Sequence, residues 1–142
     1  MKLPDTNVLL YAVNKGAPQH EAACEWLASA FDAPLGVALA WGALIGFIRL
    51  STRSGILARP LAVDSALLVI SEWIDAPYAR IVNPTERHAS ILRSLLRAAG
   101  TAGNLTNDAH LAALAIEHGA TLGSFDRDFA RFEGLTFEQL RV

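Results

Sequence analysis

The sequence predicts an α/β domain in which helices cover both faces of a central parallel sheet. Short apolar runs suited to buried strands alternate along the chain with longer segments whose apolar residues recur at helical spacing. Such an alternation is typical of parallel sheets buried on both sides. The chain has 142 residues, of which 52% are hydrophobic and 18% charged, so one well-filled core is expected. We therefore interpret residues 1–142 as a single domain.

Each element is predicted from a local pattern. Asp5-Thr6-Asn7 supplies capping oxygens after the first apolar run, so a helix is expected to begin near Thr6. Gly119 directly follows a helical pattern and is expected to end it. The predicted strands are Lys2–Pro4, 36–39, 79–82, 120–123 and 135–137. The further predicted helices begin at Pro18, span 41–50, 61–73 (opened by Arg59-Pro60) and 85–100 (opened by Thr85), run from Asp108 to Glu117, and span 124–132.

The composition excludes several classes of protein. Cys24 is the single cysteine and cannot form an internal disulfide, which favours a reducing cytoplasm. No apolar run is long enough for a membrane span, and no secretion signal is evident at the N-terminus. The net charge of −2 argues against indiscriminate binding to polyanions, although it permits a local basic surface. The sequence thus predicts a cytoplasmic globular protein.

Three aspartates are expected at one edge of the sheet. Asp5 follows the first strand, Asp108 opens the helix after a Gly-Asn turn, and Asp126 follows the strand 120–123. Taken singly, each is explained as a helix N-cap, which stabilises a helix by about 1 kcal/mol. Together they would repel one another and raise each other's pKa, so a cluster of them requires a cation. Carboxylates are ligands suited to Mg²⁺ or Mn²⁺, and the sequence therefore predicts a metal site.

The same segments resemble a known family. The run that begins Asp5-Thr6-Asn7-Val8 is similar to the opening motif of PIN domains, and the runs around Asn107-Asp108-Ala109 and Ser124-Phe125-Asp126 resemble their later acidic motifs. Together with Gly46-Phe47-Ile48-Arg49, they resemble the VapC-type toxins of bacterial toxin–antitoxin pairs. The resemblance covers the whole chain in order. It implies a three-layer α/β/α fold, divalent-metal-dependent endoribonuclease activity on RNA, a homodimer, and inhibition by a small VapB-like antitoxin.

One position departs from the family pattern. The second motif usually carries a glutamate three residues before the arginine, and here that residue is Gly46. Glu21 or Glu25 could supply a carboxylate, although exposed positions on a helix are the simpler interpretation of both. This departure puts a second metal in doubt. It also leaves open a binding module that acts through RNA or a partner without cleavage.

Several other side chains have two interpretations. Thr6 and Ser124 are expected either to hydrogen-bond the metal-binding carboxylates or to cap helices. Arg49 and Arg53 belong to the densest basic stretch and are potential contacts for an RNA backbone, or are simply solvated. Asp128 is expected to face away from the site. Asn7 and Asn107 are interpreted as turn formers, and His20, His88, His110 and His118 as structural residues without metal-ligand spacing.

A phosphatase of the haloacid dehalogenase type would also begin with an aspartate after the first strand. It requires a second aspartate two residues later, where this chain has Asn7, and no catalytic lysine is evident. The metal-dependent ribonuclease is therefore the leading hypothesis, with the inactive binding module as the alternative.

Overall fold

The computed structural model describes residues 1–142 and contains a five-stranded sheet in the order β3-β2-β1-β4-β5. All four strand pairings are parallel. The strands are short, and the first, second and fourth are buried as the apolar runs predict. Their bounds are Lys2–Pro4 (β1), Val37–Leu39 (β2), Ala79–Ile81 (β3), Thr121–Ser124 (β4) and Phe137–Gln139 (β5).

Six α-helices connect the strands and form the outer layers. Their bounds are Thr6–Val13 (α1), His20–Asp32 (α2), Trp41–Thr52 (α3), Val63–Ile74 (α4), His88–Ala99 (α5) and Thr106–His118 (α6). Two 3₁₀ helices, Gly103–Leu105 and Arg127–Arg131, lie before α6 and after β4. A main cluster of 27 buried residues packs around the sheet, and a second cluster is formed by Val8, Ala23 and Leu140. This is the three-layer α/β/α arrangement that the sequence predicts.

The strand order positions the functional edge of the sheet. From β1 the chain adds β2 and then β3 on one side, and later returns to place β4 on the other side of β1. The carboxyl ends of β1 and β4 therefore diverge at a topological switch point, where ligands bind in open parallel sheets. Pro4 pairs with Gly123 at these ends, so Asp5 and the residues after Gly123 begin their loops side by side.

Several predicted boundaries are wrong by a few residues. Helix α2 begins at His20 and not at Pro18, and α4 begins at Val63 because Leu61 instead hydrogen-bonds the Ser51 carbonyl oxygen. Helix α6 begins at Thr106, so Asp108 lies in its first turn and does not cap it.

Tertiary pairing explains three more differences. The last strand is Phe137–Gln139 because its register to β4 pairs Phe137 with Leu122. Ser124 ends β4, so the predicted helix 124–132 shrinks to the 3₁₀ helix Arg127–Arg131. Helix α5 begins at His88, three residues after Thr85, whose carbonyl oxygen accepts the His88 N–H at 3.0 Å while its own N–H and hydroxyl bond Glu117 of α6. None of the helices is both long and apolar enough to cross a lipid bilayer.

Candidate metal centre and adjoining pocket

Asp5 lies where β1 meets α1 and has both carboxyl oxygens engaged. Its extended backbone (φ −72°, ψ 162°) makes it the N-cap of α1. Its Oδ1 accepts the Thr6 N–H at 2.7 Å, and its Oδ2 accepts the Ser124 hydroxyl at 2.7 Å. Burial raises the pKa of Asp5, the bonds from Ser124 and Thr6 oppose that rise, and the charge of Asp126 adds to it. The side chain is thus rigidly held, with a charge that the protein poorly tolerates.

The Ser124 hydroxyl connects the carboxyl ends of β1 and β4 through hydrogen bonds. The residue is fully buried, and its hydroxyl oxygen accepts the Asp126 N–H at 2.9 Å and the Asn7 amide N–H at 3.1 Å while it donates to Asp5. Asn7 in turn accepts the Phe125 N–H at 3.3 Å. The expected bond from Ser124 to a carboxylate is therefore present, with Asp5 as the acceptor. Asn7 belongs to the same hydrogen-bonded group, which its interpretation as a turn former did not predict.

Asp126 is fixed by its own local turn. Its Oδ1 accepts the Asp128 N–H at 2.9 Å, which caps the 3₁₀ helix. Its other carboxyl oxygen has no hydrogen bond within the protein. Asp128 lies on the exposed side of that helix without a salt-bridge partner, as expected for a solvated acid. Asp128 nonetheless contributes to the field at Asp108.

Asp108 is half-buried in the first turn of α6 and accepts no hydrogen bond from the protein. Its pKa is raised to about 6, chiefly by burial and then by the charges of Asp5, Asp126 and Asp128, while Arg131 opposes the rise. Lys2–Glu138 is the one carboxylate pair with a Lys or Arg side chain, and the other carboxylate contact to a basic residue is the His88–Glu117 hydrogen bond, so no basic side chain contacts these aspartates. Asp5, Asp108 and Asp126 therefore lie close enough to raise the pKa of Asp108, and the charge of Arg131 only partly offsets their repulsion.

The acidic centre is open. No three His, Cys, Asp or Glu side chains converge closely enough to form a complete ligand set by themselves. This donor set fits a hard cation that keeps several waters and takes only a few carboxylates, which is the usual behaviour of Mg²⁺. It does not fit a metal that requires a closed cage of nitrogen and sulfur ligands.

A pocket of about 530 Å³ adjoins the acidic centre between α1, α3 and α6. Its wall includes Asp108 and Thr6, the neighbour of Asp5, and also Arg49, Asn104, Asn107 and His110. Arg49 is exposed and lines the pocket, whereas Arg53 follows α3 and does not line it. Glu25 lines a different pocket near Trp26 and Glu138, and Glu21 is exposed in the first turn of the same helix.

Thr6 corrects one expectation. Its hydroxyl donates to the Ala43 carbonyl oxygen at 3.0 Å and so joins α1 to α3, while only the backbone N–H of Thr6 bonds the Asp5 carboxylate. Gly46 explains why this contact is close, since a Cβ at position 46 would lie only 2.6 Å from the Thr6 hydroxyl oxygen. Gly46 therefore serves close helix packing, which is the structural consequence of the departure from the family pattern.

His110 also lines the pocket, which its interpretation as a structural residue did not predict. It is half-buried on α6. Burial and the neighbouring His88 lower its pKa, while Glu117 acts in the opposite direction. Its spacing from Asp108, two residues along one helix, gave no signal of a shared pocket, because the pocket wraps around the first turn of α6.

Comparison with known proteins agrees with this architecture. The PIN domain model matches residues 2–135. Ribonuclease VapC37 of Mycobacterium tuberculosis is 48% identical over 139 residues, which cover 98% of this chain and 96% of the relative. VapBC2 of Rickettsia felis, solved bound to a promoter DNA fragment, superposes with a TM-score of 0.67 at 20% identity and covers 99% of this chain and 98% of the other.

A third comparison is with VapC20 of Mycobacterium tuberculosis, described as a Sarcin-Ricin loop cleaving toxin. It superposes with a TM-score of 0.68 at 18% identity and covers 96% of this chain and 99% of the other. These two structures share the fold, while the full-length sequence match to a ribonuclease carries the relationship. The chain accordingly belongs to the PIN-domain family, in its VapC branch.

Proposed function

We propose that this protein is a divalent-metal-dependent endoribonuclease that acts as the toxin of a toxin–antitoxin pair. The observation that carries the proposal is an acidic centre without a salt bridge: the Asp108 carboxylate accepts no hydrogen bond from the protein, and its pKa is raised to about 6 by burial and by the charges of Asp5 and Asp126. A protein maintains such repulsion where a bound cation relieves it. The names of the sequence relatives, which are ribonucleases, supply the substrate class.

In this proposal Asp5, Asp108 and Asp126 would hold Mg²⁺ or Mn²⁺ together with water molecules, since the three carboxylates do not form a complete ligand set by themselves. When bound, the ion lowers the pKa of a coordinated water and stabilises negative charge on the scissile phosphate. Ser124 and the Thr6 N–H orient the Asp5 carboxylate through bonds of 2.7 Å each. The Asp128 N–H bonds Oδ1 of Asp126. The Oδ2 of Asp126 accepts no hydrogen bond from the protein and is therefore available to a metal ion. Hydrogen bonds that orient metal-binding carboxylates in this way raise metal affinity.

The pocket beside Asp108 is the proposed RNA-binding surface. Arg49 on its wall is positioned to pair with a phosphate of the RNA backbone. Arg53, exposed one turn further along the chain, extends this basic edge. We place the activity in the cytoplasm, in keeping with the single free Cys24.

A cognate antitoxin is proposed from the apolar surface and from the neighbours in fold, several of which are VapBC complexes. A groove of about 630 Å³ runs between α2 and α4, and its walls are mostly hydrophobic. Cys24, Leu27, Phe31, Trp73 and Tyr78 are among its lining residues. An amphipathic segment of a small VapB-like protein fits a groove of this chemistry.

The alternative is a PIN-like module that binds RNA or a partner without cleaving it. Gly46 favours it, because the contact of this residue with Thr6 leaves no room there for the acid that the family pattern carries. A calorimetric titration with Mn²⁺ separates the two functions. An active centre binds the ion with an affinity that falls on substitution of Asp108, whereas a purely binding module shows no such dependence.

The test of the proposal is cleavage of RNA by purified variants in Mg²⁺ or Mn²⁺. Asp5→Ala and Asp108→Asn should lower the rate by at least about 100-fold, and Asp126→Asn by about 10- to 100-fold. Asp5→Asn is a useful companion to Asp5→Ala because the amide oxygen can still cap α1. Asp64→Asn is the matched control, since Asp64 is an exposed acid in the first turn of α4. Unchanged cleavage by folded Asp5→Ala would exclude the metal-site assignment.

A further inference from the structure

Three side chains from two helices form a hydrogen-bonded series that ends in the pocket. Glu117 of α6 meets the Nδ1 of His88 of α5 at 2.5 Å, and the Nε2 of His88 meets the Nδ1 of His110 at 2.9 Å. The two imidazole rings lie 4.8 Å apart at 76°. The series thus runs from the body of the protein to His110, which lines the pocket beside Asp108.

Glu117 determines which atoms donate and which accept along this series of hydrogen bonds. Its side chain has 0% solvent exposure, and its Oε1 accepts both the N–H of Thr85 at 2.9 Å and the Thr85 hydroxyl at 2.6 Å. Burial works to raise the pKa of Glu117, but the bonds from His88 and Thr85 outweigh it and lower the pKa. An ionised carboxylate only accepts hydrogen bonds. His88 must therefore carry its proton on Nδ1.

The position of that proton sets the next bond. In the neutral tautomer that carries its proton on Nδ1, the Nε2 of His88 is an acceptor, and His110 donates to it from Nδ1. The Nε2 of His110 is then an unprotonated acceptor. No protein group bonds this nitrogen. Every buried polar side-chain atom has a hydrogen-bond partner, so an unpartnered nitrogen is not fully buried, and the pocket is the open space that His110 lines.

Gly42 keeps this approach to His110 clear. A Cβ at position 42 would lie 3.8 Å from the Cδ2 and 3.9 Å from the Nε2 of His110, and Gly42 also lines the pocket. The absence of a side chain at position 42 therefore leaves space directly against the acceptor nitrogen.

The pocket suits one nucleoside. Its volume of about 530 Å³ lies within the range of small-ligand sites, about 300–1,000 Å³. The side-chain amides of Asn104 and Asn107 add donors and acceptors to its wall. Single-stranded RNA is recognised through the polar edges of splayed-out bases, and the shared Asp108 places such a base next to the metal centre.

We propose that His110 reads the nucleobase beside the cleaved phosphate by accepting a hydrogen bond from an N–H group on its edge. Glu117 and His88 are positioning residues that select the imidazole tautomer. The inference rests on the proposed ribonuclease function and names a specificity-determining residue within it. It predicts a preference for a base that presents an amino or imino N–H to Nε2.

The experiment maps cleavage sites in a randomised RNA pool with the wild-type protein and with His110→Ala. The variant should lose the base preference at one position next to the cut. The kcat/KM for the preferred sequence should fall on the order of fivefold to tenfold, chiefly through KM. His118→Ala is the control from the same helix, because the Nε2 of His118 bonds the Asn83 carbonyl oxygen at 2.7 Å, away from the pocket. Its cleavage pattern should match that of the wild type.

Glu117→Gln tests the tautomer directly. The amide oxygen can keep both bonds from Thr85, and the amide N–H then donates to the Nδ1 of His88. Both rings reverse, and His110 presents an N–H donor to the pocket. The preferred base should change to one with an acceptor at the same edge, a result that a merely structural role of Glu117 would not produce. Melting curves of each variant verify that it is folded.

Two results would overturn the inference: a wild-type pattern without base preference, or preferences in both His110→Ala and Glu117→Gln identical to that of the wild type. Failure of the ribonuclease function itself looks different. In that case the wild-type protein and Asp5→Asn, assayed on the same RNA pool, give the same level of cleavage.

Discussion

Asp5 and Asp108 carry charges that destabilise the folded protein when no cation is present. For Asp108 the folded-state pKa is about 6 against a reference value of 3.8. Between these two values the folded state holds a proton that the unfolded state has lost. The free energy of unfolding therefore decreases as the pH rises through this interval. Above about pH 6 the folded protein bears the whole cost of the ionised carboxyl group.

This linkage predicts a pH-dependent gain from Asp108→Asn in chelator-treated protein. The variant should match the wild type in melting temperature near pH 4 and exceed it increasingly towards pH 7. The difference between the two proteins is the useful measure, because the lowered pKa of His110 costs both of them stability as the pH falls below its ordinary value. Thermal melts at pH 4, 5, 6 and 7 check the prediction. A constant difference across this range would contradict the raised pKa of Asp108.

Helices α1 and α3 approach each other closely where Thr6 meets Ala43 and Gly46. The Thr6 hydroxyl bonds the Ala43 carbonyl oxygen at 3.0 Å, and no Cβ fits at position 46 without displacing that threonine. Because Asp5 caps α1 and residues of α3 line the pocket, the spacing of these two helices also affects the shape of the functional site.

Gly46→Ala should lower the free energy of unfolding by about 1–3 kcal/mol, the usual effect of overpacking. Gly46→Glu should be at least as harmful. Gly42→Ala is the matched control on the same helix: its Cβ would meet only His110 at 3.8 Å or more, and the better helix propensity of alanine should stabilise the helix by up to about 1 kcal/mol. Chemical denaturation measures both.

A second variant makes the cause explicit. Thr6→Ala removes the hydroxyl that the new Cβ would strike, so the pair Thr6→Ala with Gly46→Ala should be less destabilised than the sum of the single variants. Additive losses would show that the Thr6–Gly46 contact is not the reason for glycine at position 46.

On the scale of the whole molecule, we propose a single domain whose exposed apolar helices form a two-fold homodimer. Trp41 on α3 is 44% exposed and Leu68 on α4 is 61% exposed, and these two helices pack against each other. Large exposed apolar side chains on neighbouring helices usually mark an interface.

Light scattering of the isolated protein should report a dimer, and Trp41→Glu with Leu68→Glu should shift it towards the monomer. Leu35→Glu provides the control, since Leu35 is 74% exposed but precedes β2, outside this pair of helices. A monomeric wild-type protein, or a dimer indifferent to the two helix variants, would refute this interface.

The acidic centre also predicts how an antitoxin inhibits the enzyme. An Arg or Lys of the antitoxin that reaches Asp5 and Asp108 would compensate the same charges as the metal. Affinity for Mn²⁺, measured by calorimetry, should therefore be lower in the complex than in the free protein. Equal affinities would indicate that the antitoxin blocks RNA by steric exclusion alone.

The sequence by itself determined the parallel α/β architecture and the three acidic positions. The architecture and two of these positions follow from local causes: buried parallel strands are short apolar runs, and acids placed after β1 and β4 lie at the same edge of the sheet. The resemblance of the motifs around Asp5, Asp108 and Asp126 added the family, which the sequence relatives confirm.

Only the tertiary structure decided which polar side chains form hydrogen bonds at that edge of the sheet. Asn7 and Ser124 meet across 117 positions of the chain, the Thr6 hydroxyl turns to α3, and His88 reaches His110 and Glu117 from another helix. A hydrogen bond depends on distances of a few tenths of an ångström between packed elements. Periodicity and spacing along the chain do not encode such distances, because the packing of side chains across the core sets them.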